Sequence, residues 1–61
     1  TLEEQANALK SACDTDIQAI DNAIDVATKN ENTERVAELQ EMRQQRIQQY
    51  SNELEALTSE T

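Results

Sequence analysis

The chain has 61 residues, with 13 acidic and five basic side chains, a net charge of −8, no histidine, one cysteine and one aromatic residue. This length allows one small domain at most, and the negative charge disfavours binding to nucleic acids and to anionic membranes. Because no histidine can serve as a general base and no apolar run approaches the roughly 20 residues that span a bilayer, we expect neither an enzyme nor a membrane protein.

The first half of the chain has the pattern of one amphipathic helix. Thr1 stands three residues before Glu4, the spacing of a capping box at a helix start. Apolar or small side chains then recur in steps of three and four at Leu2, Ala6, Leu9, Cys13, Ile17, Ile20, Ile24 and Ala27. With neither glycine nor proline to interrupt it, this pattern predicts a helix over about residues 2–29.

Residues 30–33 form the predicted turn. Their sequence, Asn-Glu-Asn-Thr, contains side chains that tolerate turns and cap helices, and Lys29 before them complements a helix C-terminus. Since no glycine is available, we expect Asn30 to take the left-handed conformation that ends the first helix. Asn32 or Thr33 is then expected to cap the second helix.

The second half repeats the stripe of the first with a constant offset of 30 residues. The repeated positions are Val36, Leu39, Arg43, Ile47, Tyr50, Leu54 and Leu57, which predict a helix over about residues 34–58. When the two stripes are aligned antiparallel, the facing residue numbers sum to 63 or 64, as a turn at this place requires. Residues 1–61 are therefore interpreted as a single antiparallel, coiled-coil-like two-helix hairpin; the alternative is one continuous helix in a longer coiled coil.

Two helices bury only one line of contact, and ordering the chain costs conformational entropy at every residue. We therefore expect the hairpin to associate, as a homodimeric four-helix bundle or with a helical protein partner. The predicted interaction seam consists of Leu9, Cys13, Ile17, Ile20, Ile24, Val36, Leu39, Ile47, Tyr50, Leu54 and Leu57.

Arg43 is the one charged residue in the repeated stripe, and two interpretations compete for it. Its guanidinium can reach Asp16, Asp21 or a carboxylate of another chain. Alternatively, Arg43, Arg46 and Tyr50 form a docking patch for an acidic partner. Neither a cofactor nor a metal ion is predicted, because the single Cys13 cannot form a zinc site alone and is interpreted as a small apolar seam residue.

The sequence also resembles the opening hairpin of the YqjC-like family of small exported bacterial proteins of unknown function. The resemblance lies in Cys13, Ile17, Ile20, Ile24, Ala27, Asn32, Arg35, Val36 and Leu39. It implies a helical hairpin and a periplasmic location, and no activity. The family pattern has a second cysteine where this chain has Tyr50, so the disulfide that the family implies is missing. Without the resemblance, the expected location is the cytoplasm.

The leading functional hypothesis is a non-catalytic protein–protein interaction or assembly module. A second hypothesis is a small acidic regulator, of phage or bacterial origin, that imitates the charge of nucleic acid and occupies a basic cleft. A third is a secretion chaperone or adaptor whose hairpin accepts a helix from its partner.

Overall fold

The computed structural model describes residues 1–59, which form an all-α hairpin of two helices. Helix α1 spans Leu2–Lys29 and helix α2 spans Thr33–Ser59. The hairpin interpretation is confirmed, and the helix ends lie within one residue of the predicted limits. The Cα atoms extend over 47 × 15 × 6 Å, so the molecule is a single layer of two helices.

The start of α1 is held by the capping interaction that the sequence predicts. The backbone N–H of Glu4 donates a hydrogen bond of 3.2 Å to Thr1 Oγ1, which satisfies one of the N–H groups left without a partner in the first helical turn. Glu3 and Glu4 place negative charge at this end, and Lys29 places positive charge at the other. Both arrangements complement the helix dipole.

The turn differs from the prediction in its left-handed residue. Asn30 has φ of −87°, and it is Glu31 that has a positive φ of 57°, so the expectation for Asn30 was wrong. The reason is the hydrogen bonding: Glu31 N–H donates to the Thr28 carbonyl (3.0 Å) and Asn32 N–H to the Ala27 carbonyl (2.9 Å). This pair of bonds is the Schellman motif. It requires a left-handed residue directly after the C-cap residue, and with Asn30 as the C-cap that residue is Glu31.

Asn32 is thereby placed to begin the second helix. Its side-chain oxygen Oδ1 accepts a hydrogen bond of 3.2 Å from Arg35 N–H, and its carbonyl accepts one of 3.1 Å from Val36 N–H. Of the two residues expected to cap α2, Asn32 is the one that does so. The chain thus reverses direction within Asn30, Glu31 and Asn32, which rules out the continuous helix.

The contact between the helices encloses few side chains. Among residues 1–59, those classed as buried are Cys13, Ala27 and Leu39, and Leu39 is the most enclosed at 3% exposure. Partly buried apolar side chains continue the contact toward the open end of the hairpin: Ala6, Leu9, Ile17, Ile20, Ala23, Ile24, Val36, Tyr50, Leu54 and Leu57. The core is therefore one narrow line along the hairpin.

Ile47 departs from the predicted seam. It is 42% exposed, whereas the side chain of its neighbour Arg46 is only 15% exposed. Leu39, Arg43, Arg46 and Tyr50 follow one another in steps of four, three and four, which keeps them on the side of α2 that faces α1. Ile47, eight residues after Leu39, lies about 80° around the helix from it and is more exposed than the other residues of the predicted seam, so it lies at the edge of that seam.

Candidate interaction surface

Arg46 forms the most enclosed polar contact between the helices. Its Nε donates a hydrogen bond of 2.6 Å to Asp16 Oδ2, and its Nη1 lies 3.8 Å from Glu53 Oε1. The hydrogen bond to Asp16 raises the pKa of Arg46 above its ordinary value, so this guanidinium remains charged. Its enclosed Nη1 makes no hydrogen bond. The alkyl part of Arg46 therefore fills the seam while its charge is directed to α1.

Arg43 lies one helical turn nearer the hairpin turn and also reaches across to α1. Its Nε donates a hydrogen bond of 2.8 Å to Asp21 Oδ1, and both side chains are about half exposed. Asp21 is one of the three partners expected for Arg43, beside Asp16 and a carboxylate of another chain. The docking patch of Arg43, Arg46 and Tyr50 stays a prediction, and both of its positive charges are already paired with aspartates of α1.

The other three basic residues are also paired. Lys10 contacts Asp14 at 2.8 Å, Lys29 contacts Asp25 at 3.0 Å, and Arg35 contacts Glu38 at 3.2 Å. The hydrogen bond from Lys10 to Asp14 is the main cause of a raised pKa for that lysine. Each of the five basic side chains thus has an acidic partner within the hairpin, so the charge left uncompensated on the surface is negative.

Three of the carboxylates without an ion pair in the described range lie along the outer edge of α2, and the others are Glu3 in α1 and Glu31 in the turn. Glu34, Glu41 and Glu55 are exposed, and none of them has an ion pair within residues 1–59. The first two are seven residues apart and the third follows after fourteen, which aligns them on one line of the helix. This edge is therefore a line of unpaired negative charge on the described surface.

Two open grooves lie along one face of the hairpin, on one side of the seam. The first has a volume of about 410 Å³ and is lined by Asp16, Ala19, Ile20, Met42, Gln45, Arg46 and Gln49. The second, toward the open end, has a volume of about 460 Å³ and is lined by Gln5, Ala8, Leu9, Glu53, Ala56 and Leu57. Both are shallow surface features, and both have α1 on one side and α2 on the other.

Helical spacing extends these grooves into one continuous surface. Gln5, Ala12, Ala19 and Val26 follow in steps of seven on α1, and Met42, Gln49 and Ala56 do so on α2. We call this surface the groove face and define it by Leu2, Gln5, Leu9, Ala12, Ala19, Val26, Met42, Gln45, Gln49 and Ala56. Val26 is 58% exposed and Met42 is 45% exposed, so large apolar side chains here remain in contact with water.

The opposite face carries the remaining apolar side chains of the stripe. It is defined by Ile17, Ile24, Val36, Ile47, Tyr50 and Leu54, and the Arg43–Asp21 pair spans it. Except for Ile47, these apolar side chains are partly buried against the neighbouring helix. Of the two faces, the groove face therefore holds more of the strongly exposed large apolar side chains.

Residues 1–59 contain no group of three or more cysteine, aspartate or glutamate side chains arranged to hold a metal ion. Neither described helix has an apolar stretch long enough to cross a membrane. No protein-family model, curated protein or solved structure matches the sequence. The resemblance to the YqjC-like family stays a prediction, and the functional argument rests on the geometry of the hairpin.

Sequence reasoning identified the stripe of α1 and missed two features of α2. It did not place Arg46 in the seam, and it did not recognise the groove face. A heptad pattern starting at Leu39 and continuing through Arg43, Arg46 and Tyr50 was the available signal. From sequence alone this pattern is difficult to prefer, because it places Arg46 in the seam and leaves the adjacent Ile47 outside it.

Proposed function

We propose that this chain is a non-catalytic assembly module that completes its core by packing against a further helical surface. One observation carries the proposal: the hairpin is a single layer in which Cys13, Ala27 and Leu39 are the buried side chains of the described range, while Val26, Met42 and Ile47 are strongly exposed. Val26 and Met42 lie on the groove face and Ile47 on the opposite face, and exposed apolar side chains of this size mark sites of protein association.

The thickness of the layer limits how much apolar surface the hairpin can bury. Each residue ordered in a helix loses conformational entropy, which burial of apolar surface must offset. In a four-helix bundle every helix buries side chains against two neighbours, whereas here each helix has one neighbour. A second layer on either face would enclose side chains that are now only partly buried, such as Ile17, Ile20 and Leu9.

Sedimentation equilibrium and circular dichroism over a wide concentration range test this proposal. We expect association that rises with concentration, together with a rise in helix content, because the added contacts stabilise the hairpin. Ile20→Asp, which puts a charge into the seam, should abolish helix and association together. Ala37→Asp is the matched control, since Ala37 is exposed on α2 away from the seam. A fully helical monomer at micromolar concentration would contradict the proposal.

The pairing of every basic side chain supports a second proposal, an acidic regulator that occupies a basic cleft of a protein. The exposed line of Glu34, Glu41 and Glu55 imitates a row of phosphates, and no cation of the described chain neutralises it. Competition between this chain and DNA for a basic DNA-binding protein tests the idea. If replacing the three glutamates by glutamine leaves the competition unchanged, the line of carboxylates is not its cause.

A further inference from the structure

We infer that the groove face binds a second copy of this chain, related by a two-fold axis that crosses both helices near their middle. In this arrangement α1 packs antiparallel on the second copy's α1, and α2 packs antiparallel on its α2. The inference rests on the proposed assembly function and specifies the partner, the face and the residues that meet.

Electrostatic repulsion limits which surfaces of two copies can meet. The chain carries a net charge of −8, so two copies repel each other unless the surfaces that meet are neutral. On and beside the groove face, Asp16 is paired with Arg46, and Arg35 is paired with Glu38. The glutamates of the described range that have no ion pair are Glu3, Glu31, Glu34, Glu41 and Glu55, and none of them is among the residues that define the groove face. The groove face is therefore the part of this acidic protein that a second copy can approach without burying an unpaired charge.

The residues of α1 on the groove face are spaced as a two-fold antiparallel contact requires. In an antiparallel contact across a two-fold axis, the numbers of facing residues have a constant sum. On the centre line of the groove face, a sum of 31 places Ala12 opposite the second copy's Ala19, and Gln5 opposite its Val26. The corresponding axis passes between residues 15 and 16, which is the midpoint of Leu2–Lys29. Small side chains at the centre allow two helices to approach to about 8 Å.

The line nearer the seam is also complementary. With the same axis, the numbers of Leu9 and the second copy's Ala23 sum to 32, so a large side chain lies within one residue of the position opposite a small one. On α2, a sum of 98 places Met42 opposite the second copy's Ala56 and Gln49 opposite its own counterpart. The exposed Met42 then covers an alanine, and the two glutamine amides can hydrogen-bond to each other. Large-against-small pairing is what close packing between layers requires.

The two-fold axis derived for α1 must coincide with the axis derived for α2. The axis passes α1 between residues 15 and 16 and passes α2 at residue 49. Both positions can lie on one axis only if residues that face each other within the hairpin have numbers that sum to about 64. The Arg43–Asp21 hydrogen bond, at 2.8 Å, has that sum, and the Arg46–Asp16 hydrogen bond, at 2.6 Å, has a sum of 62. Both of these hydrogen bonds between the helices therefore lie within about two residues of the register that a shared axis requires.

The available area is sufficient for a stable dimer. The face measures 47 × 15 Å between Cα atoms, so two copies in contact would bury about 1,400 Å² in total, within the roughly 1,200–2,000 Å² of stable interfaces. At the rim, Glu41 approaches the second copy's Glu55. Their repulsion is screened by salt, so association should strengthen as salt concentration rises.

Disulfide formation tests the inferred contact directly. In a Cys13→Ala background, the double variant Ala12→Cys/Ala19→Cys should form covalent dimers on mild oxidation. The two new cysteines cannot bond within one chain, because seven helical residues separate their Cα atoms by about 10.5 Å, beyond the limit of about 7 Å. The single variants Ala12→Cys and Ala19→Cys are the controls, and neither should form covalent dimers efficiently, since like positions lie far apart across the axis.

A charge substitution provides a second measurement. Ala19→Arg should raise the dissociation constant at least about tenfold, because it puts a long charged side chain at the tightest part of the interface. Ala37→Arg makes the same change of charge outside the groove face and should leave the constant within about twofold. Circular dichroism at a concentration where the parent is associated shows whether each variant remains helical.

The outcomes separate this inference from the assembly function itself. Covalent dimers of the double variant alone, with weakened association of Ala19→Arg, support the two-fold contact. Association that survives Ala19→Arg but is lost in Ile47→Arg places the second copy on the opposite face and overturns the inference while the assembly function stands. Equal covalent dimerisation of the single and double variants also overturns it. A helical monomer at every concentration overturns both.

Discussion

The two helices of the hairpin have nearly the same length and share one sequence stripe, yet they meet the seam with different chemistry. Helix α1 presents Ile17, Ile20 and Ile24, whose side chains are all partly buried. Of the matching positions of α2, Tyr50 and Leu54 are partly buried, whereas Ile47 is exposed and its neighbour Arg46 lies inside. The sequence pattern therefore repeats with an offset of 30 residues, but near the centre of the hairpin the burial of the side chains does not repeat.

The difference shows how an ion pair can decide which face of a helix is buried. Asp16 projects from α1 beside the seam, and the 2.6 Å hydrogen bond to Arg46 requires that arginine to face α1. Because neighbouring residues on a helix are about 100° apart, placing Arg46 inside turns Ile47 outside. The hydrogen bond between Arg46 and Asp16 and the exposed position of Ile47 therefore belong to one rotation of α2.

The largest expected effect comes from the most enclosed side chain of α2. Leu39→Ala should lower the free energy of unfolding by about 2–4 kcal/mol, because it removes a buried side chain and leaves a cavity. Urea denaturation followed by circular dichroism measures this loss. Ile47→Ala is the matched control, and its effect should stay below about 1 kcal/mol since Ile47 is mostly outside the seam. Equal losses in the two variants would mean that Ile47 is buried in solution.

An intermediate effect is expected at the central ion pair, which sharpens the comparison of Arg46 with Ile47. Arg46→Ala should give a urea midpoint between those of the parent and Leu39→Ala, because it removes both the alkyl stem and the link to Asp16. Arg35→Ala is the control, since Arg35 is exposed and its pairing with Glu38 stays within α2.

The exchange variant Asp16→Arg/Arg46→Asp separates the charge from the packing. If the ion pair sets the rotation of α2, the exchange should recover part of the stability that either single reversal removes. This coupling is obtained from a double-mutant cycle of urea midpoints. Strict additivity of the two reversals would show that the 2.6 Å contact does not orient α2.

The smallest effect is expected where the two helices join. Glu31→Gly should raise the free energy of unfolding by about 1 kcal/mol, because glycine adopts the left-handed conformation without the steric cost that glutamate has. Asn30→Gly, one residue earlier, should instead lower it by up to about 1 kcal/mol, since φ at Asn30 is negative and glycine adds flexibility to the unfolded chain. Thermal denaturation of both variants tests the placement, and stabilisation by Asn30→Gly alone would contradict it.

The sequence alone determined the fold class, the ends of both helices, the cap at Thr1 and the antiparallel register. These features depend on local propensity, capping side chains and the spacing of apolar residues, all of which can be read without a partner helix. It also indicated that Arg43 reaches an aspartate of α1 and that Cys13 lies in the seam.

The tertiary structure decided which residue of the turn is left-handed and which side of α2 faces inward. The first depends on where the carbonyls of α1 leave hydrogen bonds for Glu31 and Asn32, a geometry that composition does not report. The second depends on Asp16 and Arg46, thirty residues apart, meeting across the hairpin. Periodicity ranks an isoleucine above an arginine as a seam residue, and only the position of the opposing carboxylate reverses that order.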